Sequence, residues 1–208
     1  MTTIAVVDYG MGNLRSVAKA MEHVAPRARV VVSSSACEIS AADRVVFPGQ
    51  GAAFECMASL QSHDLIDPVQ AAFRNKPFLG ICMGLQVLFN FSEENKGVSC
   101  LDCVDGSVTR FSSDDSSVKI PHMGWNEVTQ CQQHALWKKV PDSSRFYFVH
   151  SYYVRPAQEE IVSGKTEYVA NFCSAIAQNN IFATQFHPEK SAADGLQLLK
   201  NFSEWNPT

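Results

Sequence analysis

Gly80-Ile81-Cys82-Met83-Gly84 sets a cysteine between two glycines, where an apolar run gives way to a helical pattern. A side chain thrust out on a sharp strand-to-helix turn needs small residues two positions to either side, because larger ones clash in the turn. A thiol there gains twice. The N–H groups that open a helix lower a thiol's pKa, and the N–H of Met83 is free to donate to an oxyanion. His187-Pro188-Glu189 is the second chemical segment, and it follows the apolar run 181–186. Residues i and i+2 on extended backbone project to one side, and Pro188 favours an extended His187. A carboxylate beside an imidazole fixes its tautomer and stabilises the imidazolium. Taken singly, Cys82 also reads as a buried core thiol and His187 as a surface histidine beside an acid. Taken together with Glu189, they read as nucleophile, base and orienter.

Other chemistries fit less well. A zinc deaminase also uses H-x-E, but it needs a downstream P-C-x-x-C, and no cysteine follows His187. Cys100-Leu101-Asp102-Cys103 is a lone C-x-x-C without a second pair at metal spacing, so packing or loop chemistry is expected there. Gly10-Met11-Gly12 follows a strand pattern, yet position 15 is Arg and the dinucleotide fingerprint fails. No metal or organic cofactor is expected.

Hydrophobic residues at 46% and charged residues at 18% suit a folded globular chain and exclude a disordered one. A net charge of -4, with Lys138-Lys139 the nearest approach to a basic cluster, argues against nucleic-acid binding. Seven cysteines, an odd number, and a start MTTIAVVDYG without a basic leader point to free thiols in a reducing cytoplasm. Apolar runs are too short to cross a membrane.

The elements that must position these residues alternate over the first ninety positions. Strands are expected at 4–8, 29–33, 44–47 and 78–81. Helices are expected from an Asn13 cap to about Val24, with Leu14, Val17, Ala18 and Met21 on one face, and from about Met83 to Phe91. This order implies a mostly parallel sheet covered on both faces. The second half is richer in strands, at 106–111, 124–129, 145–154, 167–172 and 181–186, with a helix near 192–202 and a polar loop at 112–117. A single α/β domain over 1–208, mostly parallel with added antiparallel strands, is expected.

With the Pro48-Gly49 turn, the elbow and the His-Pro-Glu segment fall in the order and at the spacing of the class I, or triad, glutamine amidotransferases, which this chain resembles. Four longer segments are similar to the glutaminase subunits of imidazole glycerol phosphate synthases. They are Asp8-Tyr9-Gly10-Met11-Gly12-Asn13-Leu14, Pro121-His122-Met123-Gly124-Trp125-Asn126, Tyr147-Phe148-Val149-His150-Ser151-Tyr152-Tyr153 and His187-Pro188-Glu189-Lys190-Ser191.

The resemblance implies a glutaminase of histidine biosynthesis that passes ammonia to a separate (β/α)8 cyclase in a heterodimer. It implies Cys82 as nucleophile, His187 as base and Glu189 as orienter, with an oxyanion hole from Gly49 and Met83. It implies glutamine contacts from Gln86, Glu94, Ser151 and Tyr152, and a weaker one from Tyr147. Tyr9, Asn13, Met123, Trp125 and Lys190 match positions near the cyclase. The turn carries Gln50 where many relatives carry valine; if a backbone flip there governs activation, as the resemblance implies, the longer polar side chain would alter its equilibrium. A related glutaminase feeding another synthase, a non-catalytic scaffold and a cysteine hydrolase of esters or peptides are the competing readings.

Overall fold

The computed structural model describes residues 1–113 and 118–207, so part of the expected loop at 112–117 lies outside the described residues. The first half alternates as its pattern demands: β1 (Thr3–Val7), α1 (Leu14–Val24), β2 (Arg29–Ser33), α2 (Ala36–Ala41), β3 (Arg44–Gly49), α3 (Ala53–Ser62), α4 (Ile66–Asn75) and β4 (Phe78–Cys82). After it come α5 (Met83–Gln86), β5 (Phe89–Ser92), β6 (Val98–Ser99), β7 (Val104–Arg110), β8 (His122–Gln130) and β9 (Ser144–His150). β10 (Tyr152–Pro156), β11 (Val162–Glu167), β12 (Asn171–Gln178), β13 (Ile181–Thr184) and α6 (Ala192–Glu204) complete the chain.

The strands form one mixed sheet in the order β2-β1-β3-β4-β13-β12-β10-β7-β5-β6, with β11 joining β12 to β8 and β8 pairing β9. From β2 to β13 every pairing is parallel; β13 to β7 is antiparallel. β3 and β4 are buried along their whole length, which is why they read as unbroken apolar runs rather than alternating ones. Successive residues enter different cores: Val45, Phe47 and Phe78 one, Val46, Leu79 and Ile81 the other. The α/β class expected from the sequence is the one observed.

Three expectations are corrected. The helix expected from Met83 to Phe91 is a single turn, α5, followed by β5. Phe89 and Phe91 suit a pleated surface, and β5 finds partners in β6 and β7 that a local pattern cannot reveal. The run 145–154 breaks at Ser151, because β9 pairs β8 whereas β10 pairs β7 and β12. The run 167–172 is a chain reversal. Glu167 pairs Asn171 across the β11–β12 hairpin, and Tyr168 N–H bonds the Ala170 carbonyl. With no Gly or Pro to mark it, the turn read as strand.

Candidate active site

Cys82 ends β4 and opens α5 with φ 55° and ψ −105°, a conformation that side-chain-bearing residues rarely adopt. The close approach behind it explains the flanking glycine. A Cβ on Gly84 would lie 1.8 Å from the Phe47 carbonyl oxygen on β3, and one on Gly80 would lie 2.7 Å from the Gly84 oxygen. α5 is only one turn long, so no summed helix dipole stands behind the thiol.

β13 runs parallel to β4, which carries its C-terminal end to the same edge of the sheet. There His187 is extended, at φ −101° and ψ 95°, and Pro188 opens a 3-10 turn, Pro188–Lys190. Glu189 therefore meets His187 across the entry to a turn rather than along a straight strand. His187 Nδ1 and Glu189 Oε1 are 2.8 Å apart, with side chains 2% and 1% exposed. The pair is held from outside: His187 N–H bonds the Tyr147 carbonyl at 2.9 Å, and Ser191 Oγ–H bonds the His187 carbonyl at 2.6 Å.

His187 Nε2 is buried without a hydrogen-bond partner among the described residues, as is Glu189 Oε2. Burial alone would push the imidazole pKa down. The negative charge of Cys82 as thiolate and the Glu189 carboxylate outweigh it and push His187 up to about 10. His187 is thus held as an imidazolium at neutral pH.

Cys82 and His187 open into a cavity of about 440 Å³, which Gln50, Gly51, Met83, Gln86, Glu94 and Lys190 also line. The β9–β10 break brings Tyr147, His150, Ser151 and Tyr152 to its wall. A wider hollow of about 750 Å³ lies between the end of α1 and α6, but it holds neither Cys82 nor His187. Chemistry, not size, marks the site.

Each residue expected at the site has a definite place. Gly49 lies opposite Cys82 in the β3–β4 register. Gln86, 3% exposed, donates from Nε2 to the Tyr152 carbonyl at 2.9 Å and to Gln185 Oε1 at 3.0 Å. Glu94 reaches the cavity with one carboxylate oxygen committed to the Ala53 N–H at 2.6 Å, where α3 begins. Met123 and Trp125 on β8 are 63% and 45% exposed, and Trp125 meets the Tyr147 ring edge-on at 6.4 Å between centroids. Lys190 Nζ stands 5.8 Å over the same Tyr147 ring. Asn13 sits half-buried at the start of α1, and its side chain makes no capping bond.

Tyr9 is the residue the expectation misplaced. It is fully buried against Phe47, and its hydroxyl donates to the Pro48 carbonyl at 3.1 Å, so it has no surface to offer a partner. It braces the turn at Gly49 from within.

The sequence reading missed Gln185 and a histidine pair. Gln185 is wholly buried, and its Nε2 lies 3.7 Å from Cys82 Sγ. The available signal was a long polar side chain inside the apolar run Ile181-Phe182-Ala183-Thr184-Gln185-Phe186. His122 Nδ1 is 3.0 Å from His150 Nε2, and His150 Nδ1 is 2.8 Å from the Tyr152 carbonyl. Burial lowers His122 to about 4 and His150 to about 3, so both are neutral at pH 7.

Residues 5–205 match the sequence model of the glutamine amidotransferase class-I family. The chain belongs to that family. The imidazole glycerol phosphate synthase subunit HisH of Nitrosococcus oceani is 53% identical over 99% of this chain and 99% of that one. The same-named subunit of Dechloromonas aromatica is 55% identical over 99% of this chain and 97% of its own. Among solved structures, the glutaminase domain of Trypanosoma brucei CTPS, with bound acivicin, superposes with a TM-score of 0.66 over 100% of this chain and 96% of its own. At 18% identity that last match speaks for a shared amidotransferase fold alone. Among the described residues, no helix is long and apolar enough to cross a membrane, and no cluster of His, Cys, Asp and Glu is arranged to hold a metal ion.

Proposed function

We propose that this chain is the glutaminase subunit of an imidazole glycerol phosphate synthase: it hydrolyses glutamine to glutamate and ammonia and delivers the ammonia to a (β/α)8 cyclase subunit. One observation carries the chemistry. Cys82, on its strained elbow, shares a cavity with a buried imidazole that a buried carboxylate holds from behind.

Cys82 Sγ, as thiolate, attacks the side-chain carbonyl carbon of glutamine, forming a C–S bond and an oxyanion. The Met83 N–H and the turn at Gly49, across the strand pair from Cys82, are the candidate oxyanion donors. His187 gives its Nε2 proton to the departing nitrogen, the C–N bond breaks, and ammonia leaves behind a glutamyl thioester. Neutral His187 then takes a proton from water as the oxygen attacks the thioester. The C–S bond breaks, glutamate departs, and the thiolate–imidazolium pair is restored.

Gln86, Glu94, Ser151 and Tyr152 surround the space where the α-amino and carboxylate groups of glutamine would lie. The identity and nearly full coverage of the HisH relatives support histidine synthesis as the pathway and a cyclase as the partner. Met123, Trp125 and Lys190, with Asn13, form the rim that faces it in this reading. Ammonia that met bulk water would become ammonium, so the partner must close over that rim.

The test is the Cys82→Ala chain mixed with the cyclase subunit. Glutamine-dependent turnover is expected to vanish while ammonia-dependent synthesis survives. Retained glutaminase activity would overturn the assignment. Synthesis from neither nitrogen source, with the wild-type mixture equally silent, would point to a different synthase.

A further inference from the structure

The side chain of Gln185 belongs to neither the elbow nor the His-Pro-Glu segment. It is 0% exposed, and its backbone N–H is tied to the Ser174 carbonyl on β12 at 2.9 Å. A buried primary amide is costly unless its hydrogen-bonding groups are used. Two of them are used here, on opposite sides: Gln86 Nε2 lies 3.0 Å from Oε1, and Nε2 lies 3.7 Å from Cys82 Sγ.

Which end of the amide faces the sulfur follows from a chain of obligatory donors. The Tyr152 carbonyl can only accept. His150 Nδ1–H donates to it at 2.8 Å, and Gln86 must present its NH2 there, at 2.9 Å. The remaining Gln86 N–H then meets Gln185, whose facing atom must be an acceptor, Oε1. Gln185 Nε2 is left with its N–H groups toward Cys82. His150 cannot reverse the sense of this chain: with its Nδ1–H committed to Tyr152, its Nε2 accepts from His122, and His122 Nε2 lies 3.2 Å from the Asn126 amide nitrogen.

Building on the glutaminase reading above, we propose that Gln185 is a further catalytic residue, whose Nε2–H donates to Cys82 Sγ and stabilises the thiolate both before attack and as it is expelled from the thioester. A neutral thiol or thioester sulfur is a weak acceptor and a thiolate a strong one. The bond therefore strengthens when Sγ carries charge, at the start of acylation and at the end of deacylation. His187 serves the same sulfur but must give up its proton during turnover. The Gln185 amide does not ionise near neutral pH and keeps its N–H toward the sulfur throughout.

The decisive variants are Gln185→Glu and Gln185→Leu in the full chain. Glu keeps an oxygen for Gln86 and replaces only the donor facing Cys82; Leu removes both contacts. Alkylation of Cys82 by iodoacetamide, followed by mass spectrometry across pH, reads the charge on sulfur, with exposed Cys37 and Cys131 as internal controls. His187, backed by Glu189, and Tyr9 are the titratable groups coupled to that sulfur, and Glu94, His150 and Lys190 line the same cavity; all are unchanged in both variants.

The pH midpoint of Cys82 alkylation is expected to rise by about one unit in Gln185→Leu and further in Gln185→Glu, with Cys37 and Cys131 unmoved. In the presence of the cyclase, kcat is expected to fall about 10- to 100-fold, the range of a lost bond to a charged group, with a smaller change in KM for Glu than for Leu. Packing alone would make Glu, the closer mimic, the milder change in both readouts. That order, or an unmoved alkylation midpoint in either folded variant, would overturn the proposal. Loss of glutaminase activity in Cys82→Ala keeps the underlying reading intact whichever way Gln185 falls.

Discussion

Gly49 and Cys82 face each other as the last residue pair of the parallel β3–β4 ladder. A Cβ on Gly49 would stand 2.4 Å from Tyr9 Oη, 2.7 Å from Met83 Cβ and 3.2 Å from the Gly84 nitrogen. Gly49→Ala must therefore push the turn away from the elbow or shift the elbow itself. Glutaminase kcat is expected to drop on the order of 100-fold, the scale of a lost oxyanion donor, while the fold persists by circular dichroism. Wild-type kinetics in this variant would show that the turn takes no part in the reaction.

Tyr9→Phe keeps the ring against Phe47 and deletes the bond to the Pro48 carbonyl. Urea unfolding is expected to show a loss of roughly 1–3 kcal/mol, because the carbonyl stays buried without its donor. Association with the cyclase should be unaffected, since Tyr9 has no exposed surface.

His187 titrates far above its unfolded value of about 6.5, at about 10. A folded-state pKa above the unfolded one contributes stability that is complete below about 6.5 and lost as pH rises through about 10. The melting-temperature gap between wild type and Glu189→Gln should thus be widest near pH 6 and narrow toward pH 10. Glu189→Gln should also move the alkaline limb of kcat to lower pH. A gap that widens with pH would contradict the ion pair.

His122 and His150 run the opposite way. Burial lowers them to about 4 and about 3, so their neutral forms favour the fold above about 6.5, and that stability is lost as pH falls toward 3 to 4. His122→Phe keeps the ring stacked between Phe148 and Tyr168 but strands His150 Nε2. It is expected to cost roughly 1–3 kcal/mol at pH 7 and to make the acid slope of stability shallower by up to about one proton.

Trp125→Ala removes a half-exposed ring that meets Tyr147 beside the cavity. If the rim seats the cyclase, the dissociation constant should rise on the order of 30-fold, the effect of a central aromatic anchor. Isothermal titration of the two subunits measures it, and unchanged affinity would move the partner to another face.

What the sequence determined by itself is local chemistry. The elbow around Cys82 needs glycine at 80 and 84 because β3 and the chain itself pass so close, and that demand is written within five residues. His187 and Glu189 are two residues apart, so their contact required only one turn of backbone. The buried strands β1, β3 and β4 were legible as continuous apolar runs, and α1 by its helical spacing, because each pattern reflects the faces that must be buried.

Tertiary structure decided everything that depends on which distant segment lies alongside. β5 is a strand because β6 and β7 supply its partners, and Ser151 is a break because the chain changes neighbours there. Tyr9 and Trp125 show the same limit from two sides: an aromatic residue carries no mark of burial until the sheet is assembled, and here Tyr9 went inside while Trp125 stayed on the rim. Gln185 is the sharpest case. Its donor points at Cys82 only because β13 lies beside β4 and because Tyr152, from a third strand, supplies a carbonyl that fixes Gln86. Sequence spacing encodes contacts made within a turn; contacts between strands are set by register, and register is settled only when the whole sheet forms.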